Sequence, residues 1–263
     1  MELSKTKTSL YSSLSSKKMR QKHRLFLAEG EKCALDTLGA FPLECLVASK
    51  EWLDGNRRLV SDYSDCVAVA SADAIKKITT LVSPPEVIAV FRLPEENDKG
   101  VEIKEGKLYL MLDGVQDPGN LGTIIRTADW FGIDTIIASR DTSDVFNPKV
   151  VQSTMGSLKR VRMVYADLDE VLGQNPGVPV YGLLLDGESI YRSEYNREGG
   201  FIVMGNEGNG ITPAIRKLIT HKLLIPPYDK DRHPESLNVA VATAITLSWF
   251  RKPHPSPPLR GGS

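Results

Sequence analysis

Between residues 107 and 226 the chain carries six short, almost continuously apolar segments: KLYLMLD, DTIIAS, RVRMVYA, PVYGLLLD, GFIVMG and KLLIP. Most are separated by stretches with helical periodicity. Strands that are apolar on both faces belong to a parallel sheet covered by helices on either side, so this half of the chain is constrained to an open α/β architecture. In such a sheet, ligands gather where strands run out into turns. Three of these strands end in Gly- or Asn-rich junctions leading to a helix: DGVQDPGNLG at 113–122, MGNEGNG at 204–210, and IPPYDKDRHPESLNV at 225–239. One such junction is an ordinary αβ connection. Three in one sheet, each bearing Asn with an acid or hydroxyl, place a ligand at the carboxyl edge, where glycine lets the backbone approach it closely.

Residues 25–93 alternate on a smaller scale. LFLAEG, ECLVAS, CVAVA and EVIAVFRL read as strands. EKCALDTLG, SKEWLDGNRRL and ADAIKKITTL read as helices, the last capped by Ser71. The stretch PEENDKGVEIKEG changes to an acidic, turn-rich composition and reads as a linker over 95–106. The chain thus divides into a small α/β unit at 1–94, the linker, a larger α/β unit at 107–252, and a proline-rich tail at 253–263 expected to be disordered. The last helix, about residues 237–252, is apolar nearly all round, which calls for burial in a core or against a second subunit.

Composition excludes more than it assigns. With 33 basic and 33 acidic residues the net charge is zero, so nucleic-acid binding must rest on local patches. The sharpest patch is residues 1–24, with seven Lys and Arg against Glu2. On a weak helical stripe of Leu10, Leu14 and Met19, those bases face solvent or a phosphate backbone. The three cysteines are an odd set without CxxC spacing, pointing to reduced thiols in the cytoplasm. No run of about 18 apolar residues is present to span a membrane. The four histidines are scattered and suggest no metal site. P-loop and G-x-G-x-x-G fingerprints are absent, and so is the G-x-S-x-G elbow that would make a hydrolase of His233 and Ser236.

Taken together, DPGNLGTIIRTA, GNEGNGI and ESLNVAVATAI resemble, in order and spacing, the three motifs of the SpoU-type RNA 2′-O-methyltransferases of the SPOUT superfamily. The resemblance covers nearly all of residues 107–252. The N-terminal unit is more loosely similar to the small α/β RNA-binding domain often attached to that family, best at KKMRQKHRLFLAEG. The resemblance implies an open parallel sheet with a C-terminal trefoil knot, preceded by an RNA-binding domain, in a homodimer. It implies S-adenosylmethionine held by Met204, Gly205, Gly208, Ile225 and Leu237, and catalysis by Asn120, Arg126, Glu207, Ser236 and Asn238. Because a guanidinium holds its proton to a pKa above about 12, Arg126 fits better as a cation on the RNA phosphate and nascent alkoxide than as a base. Glu207 is expected to orient Arg126 or Asn120, and Ser236 could equally cap the last helix. The third junction departs from the family pattern: its loop at 227–235 is longer and lacks a glycine. The implied activity is methylation of a ribose 2′-hydroxyl in rRNA, with tRNA as the alternative substrate and a non-catalytic RNA-binding protein as the rival reading.

Overall fold

In the computed structural model, described over residues 1–95, 101–192, 199–229 and 234–251, the chain forms two sheets. The first contains β1 (Leu25–Glu29), β2 (Leu43–Ala48), β3 (Val67–Val69) and β4 (Val87–Arg92), in the order β1-β4-β2-β3. β4 lies antiparallel between β1 and β2, and β3 runs parallel to β2. Its central place explains the unbroken apolar run EVIAVF, since Val87, Ile88, Ala89, Val90 and Phe91 are all fully buried.

The helices of this unit are α1 (Lys5–Ser13), α2 (Lys17–His23), α3 (Glu31–Thr37), α4 (Lys50–Gly55), α5 (Arg57–Val60) and α6 (Ala72–Ile78). SKEWLDGNRRL is not one helix. It breaks at Asn56, which follows Gly55 and adopts φ −120° and ψ 22°. Ser71 caps α6 as expected, accepting from the Ala74 amide at 3.3 Å. That helix stops early because Thr79 and Thr80 turn their hydroxyls onto the buried carboxylate of Glu29.

The basic N-terminus needs a correction. Tyr11, Leu14 and Arg20 are buried, so α1 and α2 are built into the fold and are not a purely solvated face. Arg20, only 2% exposed, pairs with Asp144 at 2.6 Å and donates to the carbonyls of Leu14 and Ser15 at 2.8 Å each.

The second sheet contains β5 (Leu108–Asp113), β6 (Thr135–Ala138), β7 (Arg162–Tyr165), β8 (Val180–Ser189), β9 (Gly200–Gly205) and β10 (His221–Leu224). Every pairing is parallel, in the order β10-β8-β9-β5-β6-β7, and the six apolar segments of the sequence are these six strands. The chain steps outward from β5 to β7, then crosses back so that β9 lies on the other side of β5. The direction of winding therefore reverses at β5, and the crevice between the ends of β5 and β9 is the topological switch point. The helices are α7 (Pro118–Trp130), α8 (Pro148–Thr154), α9 (Leu168–Gly173), α10 (Pro213–Arg216) and α11 (Val239–Phe250).

The two sheets share one core. Phe146 meets Phe26 at 4.7 Å and Phe41 at 6.0 Å between ring centroids. Gly156, at φ +83°, admits Asp36 so closely that a Cβ would sit 2.4 Å from the Asp36 Cβ. Between the sheets, residues 101–106 are not free chain: Val101 and Ile103 pack on the second sheet, and the Lys104 amide donates to the Tyr109 hydroxyl at 2.9 Å. The tail at 253–263 lies outside the described residues.

Candidate active site

The switch-point crevice is assembled from the three junctions. At the end of β5, Asp113 pairs in register with Gly205 at the end of β9. Asp117 caps α7, its carboxylate accepting from the Asn120 amide at 2.7 Å, while Pro118 supplies the pre-set first helical position. That cap fixes Asn120 in the first turn with its side-chain amide free to reach outward. Its Nδ2 donates to Glu207 Oε1 at 2.6 Å, and its Oδ1 accepts from Asn238 Nδ2 at 3.0 Å. Asn238 in turn caps α11, its Oδ1 accepting from the amides of Ala240 and Val241 at 3.0 and 3.3 Å. One hydrogen-bonded line, Asn238 to Asn120 to Glu207, therefore joins residues 118 positions apart in sequence.

This geometry decides two points. Glu207 is oriented on Asn120, not on Arg126. The cap of α11 is Asn238, so the capping role expected for Ser236 is filled by its neighbour two residues on; Ser236 is exposed and takes no part in the line. Arg126 sits on α7 six residues beyond Asn120, exposed and without an ion-pair partner among the described residues. Its guanidinium is therefore available to a phosphate.

The second junction is shaped by a residue the sequence reading passed over. Asn206 accepts from the amides of Gly208 and Asn209 at 2.9 and 3.0 Å, and its Nδ2 donates to the Gly114 carbonyl at 2.7 Å. It also exchanges backbone hydrogen bonds with Gly210. The turn closes so tightly that a Cβ on Gly205 would lie 2.3 Å from the Gly210 carbonyl carbon. Asp113, 5% exposed, accepts from the Thr212 amide at 2.7 Å. Asn206 and Asp113 thus lock the Glu207 loop onto the turn that carries Asn120. The signal was in the sequence, as an Asn that follows Gly205 in the turn-rich run GNEGNG, a composition that favours Asx turns. Of the expected cofactor contacts, Met204 is buried beneath this turn, while Gly205 and Gly208 form it. Ile225 packs at the rim of the core and Leu237 is 47% exposed, flanking the third junction on either side. Residues 230–233 of its longer loop lie outside the described residues. No cluster of metal-ligating side chains occurs among the described residues.

Comparison with known proteins places the chain in a family. The SpoU rRNA Methylase family matches residues 107–248, more than half of the chain. The chain belongs to the SpoU rRNA methylase family. In this SpoU methylase a second match, to the MRM3-like substrate binding domain, covers residues 9–89. It is 34% identical over 244 residues to the 23S rRNA (guanosine(2553)-2′-O)-methyltransferase RlmP of Bacillus subtilis, covering 90% of this chain and 93% of that protein. It is 37% identical over 166 residues to the 23S rRNA (guanosine-2′-O-)-methyltransferase RlmB of Xanthomonas campestris, covering 60% and 65% of the two chains. Among solved structures, the AdoMet-bound rRNA methyltransferase of Sinorhizobium meliloti superimposes with a TM-score of 0.82 at 30% identity, covering 96% of this chain and 97% of that one.

Proposed function

We propose that this SpoU methylase moves a methyl group from S-adenosylmethionine to a ribose 2′-hydroxyl of rRNA, with Arg126 and Asn120 facing the RNA. The observation that carries this reading is the line Asn238–Asn120–Glu207, which draws all three junctions to one point at the switch crevice. The naming of RlmP and RlmB as 23S rRNA ribose methyltransferases supports rRNA over tRNA as the substrate.

The residues present suit the cofactor. The tight, side-chain-poor turn at 205–210 exposes backbone groups, and Ile225 with half-exposed Leu237 offers apolar surface for a nucleoside. When bound there, S-adenosylmethionine supplies an electrophilic methyl group, so the protein's own work is to orient the hydroxyl and to stabilise the charge it develops as its proton passes to solvent. Asn120, fixed by its cap and by Glu207, orients the ribose. Arg126 binds the adjacent phosphate and stabilises the developing alkoxide. Ser236, exposed beside Asn238, is left as a hydrogen-bonding group for substrate.

The same reading extends to architecture. Residues 1–94 serve as the substrate-binding domain, 95–106 as the connection and 107–252 as the methyltransferase domain. The return of the chain from the edge strand β10 to pack α11 against α7 supports a C-terminal trefoil knot. Val241 (49% exposed) on α11 and Trp130 (84% exposed) on neighbouring α7 support a homodimer built on that face. Three free cysteines accord with action on rRNA in the cytoplasm. Tritiated-methyl transfer to rRNA by wild type and Arg126→Ala tests the assignment: labelling by the wild type alone supports it, and equal labelling by both removes Arg126 from the mechanism.

A further inference from the structure

β7 is the outer strand of the second sheet, so one of its edges pairs with no other strand among the described residues. It faces a cleft of about 1070 Å³ whose opposite wall is α2 of the N-terminal unit. The cations of this cleft fall into two groups. Arg20, Arg140 and Arg160 are held by Asp144, Asp167 and Asp129, and Arg24 donates to the Pro94 carbonyl. Lys17, Lys159 and Arg162 are exposed and have no carboxylate partner among the described residues, Lys159 donating only to the Leu38 carbonyl at 3.3 Å. Glu95 and Glu170 also line the cleft, so its free charge is carried by a few positions, not by a general excess. The wall between the cations is aromatic and partly exposed. Tyr165 and Phe146 lie there, with the Tyr165 hydroxyl already committed to the Ser143 carbonyl and the Val145 amide at 2.5 and 2.8 Å. A ring so anchored presents a fixed face.

Unpaired cations on two walls with rigid rings between them are the means by which proteins hold single-stranded nucleic acid without reading its sequence. A partner protein adding a strand to β7 would be held by main-chain hydrogen bonds and would leave these three exposed cations without a counter-charge, so a polyanion is the better occupant. The cleft also adjoins the site. Arg140, on its lining, follows Ser139, whose hydroxyl accepts from the Gly114 amide at 2.8 Å at the start of the turn bearing Asn120.

We propose that this cleft holds the RNA strand flanking the modified nucleotide, with Lys17, Lys159 and Arg162 on its phosphates. The proposal rests on the RNA-methyltransferase reading above and adds the path of the substrate. It also assigns α2, pinned to the second unit through Arg20 and Asp144, as one rigid wall of that path.

The test uses the full-length protein, an in vitro transcript of 23S rRNA as probe, and the double variant Lys17→Glu/Arg162→Glu. A matched variant, Lys104→Glu/Lys217→Glu, reverses two exposed lysines outside the cleft and outside the substrate-binding domain. Binding is measured across a salt series, with S-adenosylmethionine binding measured by calorimetry as the check on folding. The cleft variant is expected to bind RNA at least about tenfold more weakly and to lose between one and two units of salt slope, while cofactor binding is kept. Reversing the outside lysines should change RNA affinity several-fold less. Equal losses in both variants, or an unchanged affinity and slope in the cleft variant, would overturn the proposal. If the cleft variant loses cofactor binding as well, the neutral pair Lys17→Gln/Arg162→Gln decides by the same two readouts. Failure of the wild type to methylate any rRNA would strike the function itself, whereas a wild type that methylates alongside an unaffected cleft variant strikes only the path.

Discussion

Replacing Asn206 with Ala removes three hydrogen bonds that no other group in the loop is placed to make: those to the amides of Gly208 and Asn209 and that to the Gly114 carbonyl. At about 0.5–1.5 kcal/mol each, and with the exposed amides partly recovered by water, the loop's bound geometry loses roughly 2–3 kcal/mol. The turn lies at the sheet's rim, and β9 below it, from Phe201 to Met204, stays buried whatever the loop does. The cost should therefore appear as weaker binding and not as global unfolding. At about 1.4 kcal/mol per factor of ten, S-adenosylmethionine affinity should fall roughly 30- to 150-fold. Calorimetric titration measures that loss, and thermal melting without cofactor should shift by no more than about 3 °C. Asn206→Asp keeps the oxygen that accepts from both amides but faces the Gly114 carbonyl with a carboxylate, so it should not restore wild-type affinity. A large fall in melting temperature with undiminished cofactor affinity would refute the assignment of Asn206 to the site.

Other expectations follow from the same geometry. Arg126→Ala should cut methyl transfer by about 10²–10³-fold with the melting temperature unchanged, because the side chain is exposed and pairs with nothing among the described residues. Arg20→Met strands Asp144 between the two units and should cost about 3 kcal/mol, a melting decrease of roughly 6–12 °C by calorimetry. Burial pushes the Cys33 thiol up to about 12, so iodoacetamide at pH 8 should spare it in the native protein and modify it once denaturant opens the contact with Val151. Burial raises the Asp129 carboxyl, but hydrogen bonds from Arg160 and Ser157 outweigh that and hold it below its ordinary value. A depressed folded pKa stabilises fully above the unfolded value of about 4 and is lost as the pH falls through the folded one. Asp129→Asn should accordingly lower stability at pH 7 and flatten the acid side of the stability profile, as measured by urea denaturation between pH 2 and 7.

Much of the fold was legible because burial on both faces writes itself into sequence: each apolar segment from KLYLMLD to KLLIP is a strand, and Ser71 caps its helix as its neighbours imply. What stayed hidden depends on partners distant in the chain. No local pattern says that β9 inserts beside β5 while β8 and β10 lie beyond it. Nothing around Arg20 reveals that Asp144, 124 residues away, will bury it; among six other bases it reads as one more surface charge. Either Ser236 or Asn238 could cap the final helix by residue type. The choice was made by Asn120, whose carbonyl oxygen accepts from the Asn238 side chain. Likewise Glu207 could have served Arg126 or Asn120, and only the approach of the loop, set by Asn206, selects Asn120. The candidate site residues stood out by their motifs, but which of them touch one another is a tertiary property.

The most direct test is chemical. rRNA is incubated with the protein and S-adenosylmethionine carrying a labelled methyl group, then hydrolysed in alkali, which cleaves every linkage except those after a 2′-O-methylated ribose. Label recovered in alkali-resistant dinucleotides, and absent from them with Arg126→Ala, is the expected result. Label confined to mononucleotides, which would place the methyl group on a base, would contradict the account.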